Sequence, residues 1–257
     1  MKLRIGIIGC GGIATGKHLS ALKSNGDLCE VVAFCDGILD RAKKAAQEYG
    51  VENAQVCQNY NELLANPNVD VVYVLTPNIS HSPIAVDAFH AGKHVMCEKP
   101  MAINTAEAEK MMTAWKESGK KFSIGYQNRY RADVRHLRSA CQNGDLGEIY
   151  YAKAYAIRRR GVPTWGSFIQ GSQQGGGPLI DIGTHSLDLA LWLMDNYDVE
   201  SVTGTVFKKL GKLPQATDGN LWGAWDTSKY DVEDSAIGYI KMKSGALVVL
   251  ESSWALN

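Results

Sequence analysis

The feature that most limits what this chain can fold into is a short apolar segment, Leu3–Ile8, that runs directly into Gly9-Cys10-Gly11-Gly12-Ile13-Ala14 and then into a helical pattern over Ile13–Lys23. The block fits G-x-G-x-x-G/A. A bare match is weak because glycines are common. A strand before it and a helix after it supply the context that gives it meaning. Gly9 allows a tight turn, Gly11 lets backbone approach a pyrophosphate, and Ala14 lets the helix pack closely on the strand. Gly12 and Ile13 complete the turn, and the helix N-terminus behind them offers free N–H groups and a positive dipole end to phosphates.

The pattern then repeats. Strands are expected at Val31–Asp36, Val69–Leu75, His94–Cys97 and Phe122–Tyr126, with helices at Leu39–Tyr49, Ile84–Ala91 and Ala106–Ser118. Such alternation implies βαβ units and a mostly parallel sheet. Asp36 closes the second strand, near the ~20-residue spacing at which an acid meets the adenosine ribose. It would repel a 2′-phosphate and so favours NAD, while Arg41, just inside the next helix, keeps NADP open. Thr76-Pro77-Asn78 follows the strand at Val69–Leu75, at the carboxyl edge where open α/β sheets bind ligands; simple turn chemistry reads equally well there.

After Tyr126 the rhythm changes. A helix at Ala132–Asn143, a strand at Ile149–Ile157, a Gly-rich loop at 171–177 and a helix at Thr184–Met194 precede strands at Val199–Phe207, Ser235–Met242 and Leu247–Ser253. Lys243-Ser244-Gly245 reads as a hairpin turn between the last two. The expected fold is α/β plus α+β: residues 1–125 form a doubly wound parallel sheet, and residues 126–257 form an open-faced, mostly antiparallel sheet with helices on one face. The segment 208–230, with Trp222 and Trp225, reads as a functional or disordered loop.

The 257 residues are enough for two cores. The 27 basic and 27 acidic residues balance, so no charge block suggests a nucleic acid or membrane surface as partner. Six scattered cysteines, none in a CxxC pair, read as reduced thiols of a cytoplasmic protein and give no zinc spacing. No segment is long and apolar enough to span a membrane.

Glu98-Lys99-Pro100 follows the strand at His94–Cys97. With the GCGGIA turn, the stretch from Thr76 to His81 and Gly175-Gly176-Gly177-Pro178-Leu179-Ile180-Asp181-Ile182-Gly183-Thr184-His185-Ser186-Leu187-Asp188, it gives four motifs in order. In these the sequence resembles the Gfo/Idh/MocA oxidoreductases over nearly its whole length. The resemblance implies a Rossmann domain, a sugar, cyclitol or related polyol substrate, and a homo-oligomer built through the second sheet. It places His81 and Glu98 with the cofactor-binding motifs and Lys99 beside the nicotinamide, and it makes Asp181 and His185 an acid/base pair. It also implies a longer chain, so an incomplete second domain with an exposed edge is expected.

Read as chemistry, oxidation of a secondary alcohol needs a base for the hydroxyl proton while a hydride leaves. His185 qualifies, with an ordinary pKa of about 6.5. Asp181, four residues earlier, could share a helix face with it and fix its tautomer. Lys99 places positive charge where an alkoxide develops, or is itself the base if burial lowers its pKa. Taken singly, each has an ordinary structural reading: a structural histidine, a helix cap, a surface lysine. Asp188 reads as a supporting partner or a solvated helix charge. Tyr126, Arg129, Tyr130, Arg158, Arg159, Arg160 and Trp165 supply the aromatic faces and planar donors that polyols need; Tyr126, Arg129 and Trp165 are the substrate candidates. Two other functions fit the same motifs: an NAD-dependent glycosidase working by transient oxidation, and a non-catalytic nucleotide-sensing regulator.

Overall fold

The first strand, β1 (Leu3–Ile8), is the centre of a six-stranded parallel sheet. Its companions are β2 (Cys29–Cys35), β3 (Gln55–Cys57), β4 (Val71–Val74), β5 (His94–Cys97) and β6 (Phe122–Ile124), in the order β3-β2-β1-β4-β5-β6. The chain reverses its direction of travel between β1 and β4, and that switch point opens a crevice at the carboxyl ends of the strands. The computed structural model describes residues 1–217 and 225–256.

Successive side chains of β1 enter different cores. Ile5 and Ile7 pack with Leu19, Leu22 and Phe34, whereas Ile8 packs with Val72, Val74, Ile84 and Phe89. A sheet buried on both faces explains the near-continuous apolar runs of its central strands. The covering helices are α1 (Leu19–Ser24), α2 (Leu39–Tyr49), α3 (Tyr60–Leu64), α4 (His81–His90) and α5 (Thr105–Ser118). Helix α5 starts where Asn104 accepts the Glu107 N–H at 2.9 Å and stops at Gly119, whose φ of 63° ends it cheaply. Helix α4 begins three residues before the expected Ile84, because Pro83 is tolerated in a first helical turn. The sequence reading misses β3 and α3, both very short.

Two units make up the chain, Met1–Gly125 and Tyr126–Asn257. The second unit holds α6 (Ala132–Asn143), β7 (Tyr151–Ile157), a single-turn α7 (Gly171–Gln174), α8 (Thr184–Met194), β8 (Val199–Phe207), β9 (Ser235–Met242) and β10 (Leu247–Ser253). Its sheet runs β7-β10-β9-β8, with β7 parallel to β10 and the other pairs antiparallel. The β9–β10 hairpin turns at Gly245, where φ is 90°. Helix α8 covers one face through Leu187, Ala190, Leu191 and Met194, packed on Ala154, Ile240, Val248 and Leu250. The opposite face presents Tyr151, Lys153 and Tyr155 of β7 and Ile237 and Tyr239 of β9, all exposed. Of the 208–230 segment, Trp225 stacks edge-on against buried Tyr230 at 6.4 Å, so this part is packed; Trp222 lies outside the described residues.

Candidate active site

Gly9 ends β1 with a φ of 95° and donates its N–H to Cys35 O at 2.8 Å. A Cβ there would sit 2.6 Å from Leu75 O, so only glycine fits. Gly11 and Gly12 differ: a Cβ at either would meet nothing within 4 Å. Their missing side chains leave open space beside the backbone, which is the opening a pyrophosphate needs. The chain enters its helix through a π turn, Ala14–His18, with Ala14 fully buried and no side chain capping the start at Ile13. The first N–H groups are thus left for a ligand. Ile13 itself is exposed.

Asp36 follows β2 and bends back over this turn. Its Oδ2 accepts the Cys10 N–H at 2.8 Å and its Oδ1 accepts the Ile38 N–H at 2.8 Å. The carboxylate that would meet a ribose therefore also fixes the glycine turn, with lone pairs to spare. Arg41 is exposed in the first turn of α2. After β4, Thr76 is half-buried and its Oγ1 has no hydrogen-bond partner among the described residues. A buried orphan hydroxyl at the switch point, open glycines and an anchored acid fit a dinucleotide. Pro77 is exposed and Asn78 half-buried beside it.

His81 is 1% exposed. Its ring nitrogens lie against Pro100 O at 2.7 Å and Thr76 O at 2.9 Å, so it ties the Thr76 loop to the Lys99 loop from beneath. Burial pushes its pKa below the ordinary value, against the pull of the two carbonyls. Glu98 is likewise buried: Oε1 meets His18 Nε2 at 2.8 Å and Oε2 accepts the Lys99 N–H at 3.0 Å. Burial would raise its pKa, but the His18 hydrogen bond and charge and the Lys99 amide hold the carboxyl below its ordinary value. Lys99 is half-buried and precedes a cis peptide to Pro100.

In the second unit, Asp181 lies not in an α-helix but in a π turn, Leu179–Gly183, that leads into α8 and His185. Buried Trp254 donates its indole N–H to Asp181 Oδ2 at 3.0 Å. Glu233 holds the entry to this turn: its carboxylate accepts the Gly177 N–H at 2.9 Å and the Leu179 N–H at 3.2 Å. A Cβ on Gly177 would collide with Glu233 O at 2.2 Å. His185 faces the Tyr126 ring edge-on at 6.3 Å, and Tyr126 shares a 3.0 Å hydrogen bond with Thr184 Oγ1. Arg129 pairs in bidentate fashion with Asp188 and lies over the Tyr126 and Trp192 rings. Asp188 is thus an ion-pair partner, not a solvated charge. Trp165, 39% exposed, packs edge-on against Phe168 at 5.2 Å. Arg158, Arg159, Arg160 and Tyr130 are exposed.

The first unit therefore gathers Gly9, Gly11, Gly12, Asp36, Thr76, Glu98 and Lys99 at one sheet edge. The second gathers Tyr126, Arg129, Asp181 and His185 around the start of α8. Sequence reasoning passes over His18, Trp254 and Glu233. For His18 a signal exists, since it stands four residues after Ala14 and so shares its helix face. Trp254 and Glu233 are distant in sequence and carry none.

A parallel sheet in this order, with a glycine turn at its switch point and an acid ending β2, defines a dinucleotide-binding protein. The family model described as "Oxidoreductase family, NAD-binding Rossmann fold" matches residues 3–126, and that described as "GFO/IDH/MocA C-terminal domain" matches residues 134–257. The chain belongs to the Gfo/Idh/MocA family of oxidoreductases. It is 42% identical over 255 residues to D-glucoside 3-dehydrogenase of Escherichia coli (strain K12), covering 99% of this chain and 71% of that protein. It is 30% identical over 251 residues to myo-inositol 2-dehydrogenase of Thermotoga maritima, covering 98% and 68%. The crystal structure of aldose-aldose oxidoreductase from Caulobacter crescentus, complexed with glycerol, superposes with a TM-score of 0.84 at 29% identity, covering 100% and 72%.

Proposed function

We propose that this oxidoreductase moves a hydride between nicotinamide and a ring secondary alcohol of a sugar or cyclitol, with NAD preferred over NADP. The relatives named as acting on a glucoside and on an inositol support the substrate class. The observation that carries the chemistry is Asp181, a half-buried carboxylate anchored by Trp254 four residues before His185. Bound NAD supplies the hydride acceptor. His185 accepts the hydroxyl proton, and Asp181 fixes its tautomer and steadies the imidazolium. The ammonium of Lys99 stabilises the developing alkoxide. Tyr126, the donors of Arg129 not used by Asp188, and Trp165 hold the sugar ring. Glycine-turn N–H groups take the pyrophosphate, Asp36 takes the adenosine ribose, and the Thr76 hydroxyl gains a partner on the cofactor.

The exposed face of the second sheet is the proposed contact between copies of the chain. Its rows pair Tyr155, Glu251 and Ile237, and Lys153, Val249 and Tyr239, across three strands. The exposed Tyr151, Tyr155, Ile237 and Tyr239 suit an interface, where aromatic side chains are enriched. All six cysteines are free, five of them buried, which supports a reducing, cytoplasmic setting.

The test is a panel of methyl glucosides, myo-inositol and free aldoses with NAD, followed by NADH absorbance. Net NADH from at least one polyol is expected. Glycoside cleavage with no net NADH, or no turnover of any member, contradicts the reading.

A further inference from the structure

We infer that His18 is a positioning residue for Lys99, acting through Glu98. The inference rests on Lys99 having the role proposed above. His18 closes the π turn that follows the glycine turn. Its Nε2 lies 2.8 Å from Oε1 of Glu98, and Oε2 of the same carboxylate accepts the Lys99 N–H at 3.0 Å. The two side chains keep only 15% and 12% of their exposure. The edge-on ring of Tyr73, 5.8 Å away, flanks the imidazole. A Cβ placed on Gly125 would come within 3.1 Å of Oε1, so the carboxylate is crowded on that side as well.

A carboxylate with each oxygen engaged has its plane fixed, and through Oε2 it fixes the peptide that carries Lys99. Because an ionised carboxylate only accepts, Nε2 carries the proton whether the ring is neutral or charged. The strut therefore survives a change in the imidazole's charge. It joins the helix start that seats the pyrophosphate to the loop that aims the amine. A cofactor seated on the glycine turn is thereby held in register with Lys99. Loss of His18 leaves the Glu98 carboxylate half-partnered and free to rotate away from the Lys99 N–H.

Amide hydrogen exchange at Lys99, read by NMR on the chain labelled with nitrogen-15 lysine, tests this without turnover. His18→Ala should speed exchange at Lys99 about tenfold, the size expected for losing one hydrogen bond to a charged group. His18→Gln, which restores a donor, should recover most of the protection. Other lysine amides of the first unit, such as Lys93 and Lys121, should exchange as before. In NADH assays on the same polyol, His18→Ala should lower kcat about tenfold with a small change in the KM for NAD, and the loss should be absent in a Lys99→Ala background. Unchanged exchange at Lys99, equal acceleration at all lysines, or a kcat loss of the same size in the Lys99→Ala background would overturn the inference. Near-normal turnover of Lys99→Ala alone would mark the failure of the Lys99 assignment instead, and the positioning role would fall with it.

Discussion

The indole N–H of Trp254 donates to Oδ2 of Asp181 across 3.0 Å, reaching from just past the end of β10 to the turn that begins α8. One oxygen of the proposed orienting carboxylate is thus committed to a fully buried donor. Trp254→Phe keeps much of the ring's bulk and removes that donor. It should lower kcat about tenfold, as expected for a lost hydrogen bond to a charged group, while NAD affinity stays nearly constant. An unchanged kcat would show that Asp181 does not depend on this anchor.

The glycines of the turn should separate in their effects. Gly9→Ala forces a side chain at φ 95° and 2.6 Å from Leu75 O, and should cost roughly 2–4 kcal/mol in thermal unfolding. Gly11→Ala meets nothing within 4 Å in the protein, so its melting temperature should hold while the Kd for NAD rises about tenfold or more. Equal loss of stability in both variants would refute the distinction.

Much of this is legible in the sequence because it rests on local rules. A glycine turn after a strand and an acid at the end of the next strand are fixed by backbone geometry over a short stretch. The elements whose bounds are read correctly in full, among them Leu39–Tyr49, His94–Cys97 and Val199–Phe207, have clear periodicity or turn signals at their ends. Strand β3, Gln55-Val56-Cys57, has neither; it exists because Ala33–Cys35 of β2 offers it hydrogen bonds. The same holds at the candidate site. Asp181 and His185 stand out by spacing, but the Trp254 anchor of Asp181 joins segments far apart in the chain.

Asp36 should show two effects at once. Asp36→Ser removes the charge that repels a 2′-phosphate, and the preference for NAD over NADP should narrow in steady-state kinetics. It also takes an acceptor from the Cys10 and Ile38 N–H groups, so stability should fall by about 1–2 kcal/mol. A wild-type chain that uses NADP as well as NAD would refute the assignment.

Asp70 and Arg4 clamp β1 to β4 at their amino ends, with Oδ2 accepting Arg4 Nε at 3.0 Å and Oδ1 accepting Nη2 at 2.7 Å. The Arg4 hydrogen bonds hold the Asp70 carboxyl below its ordinary range, against a smaller push upward from burial. Stability from a lowered carboxyl is fully present above the unfolded value of about 3.9 and is lost as pH falls through the folded one. Asp70→Asn should therefore melt below wild type at pH 7, and the gap should close on acidification below about pH 3.9. A gap that stays constant with pH would show that the ion pair is not its source.

The central claim is that Lys99 and His185 serve one hydride transfer. Its most direct measurement is kcat for NADH formation, on whichever polyol of the panel is oxidised, by Lys99→Ala and by His185→Ala, with the Kd for NAD measured beside it. Each variant should lose turnover by roughly 10²–10⁴-fold with NAD affinity nearly intact. Near-normal turnover in both would contradict the account.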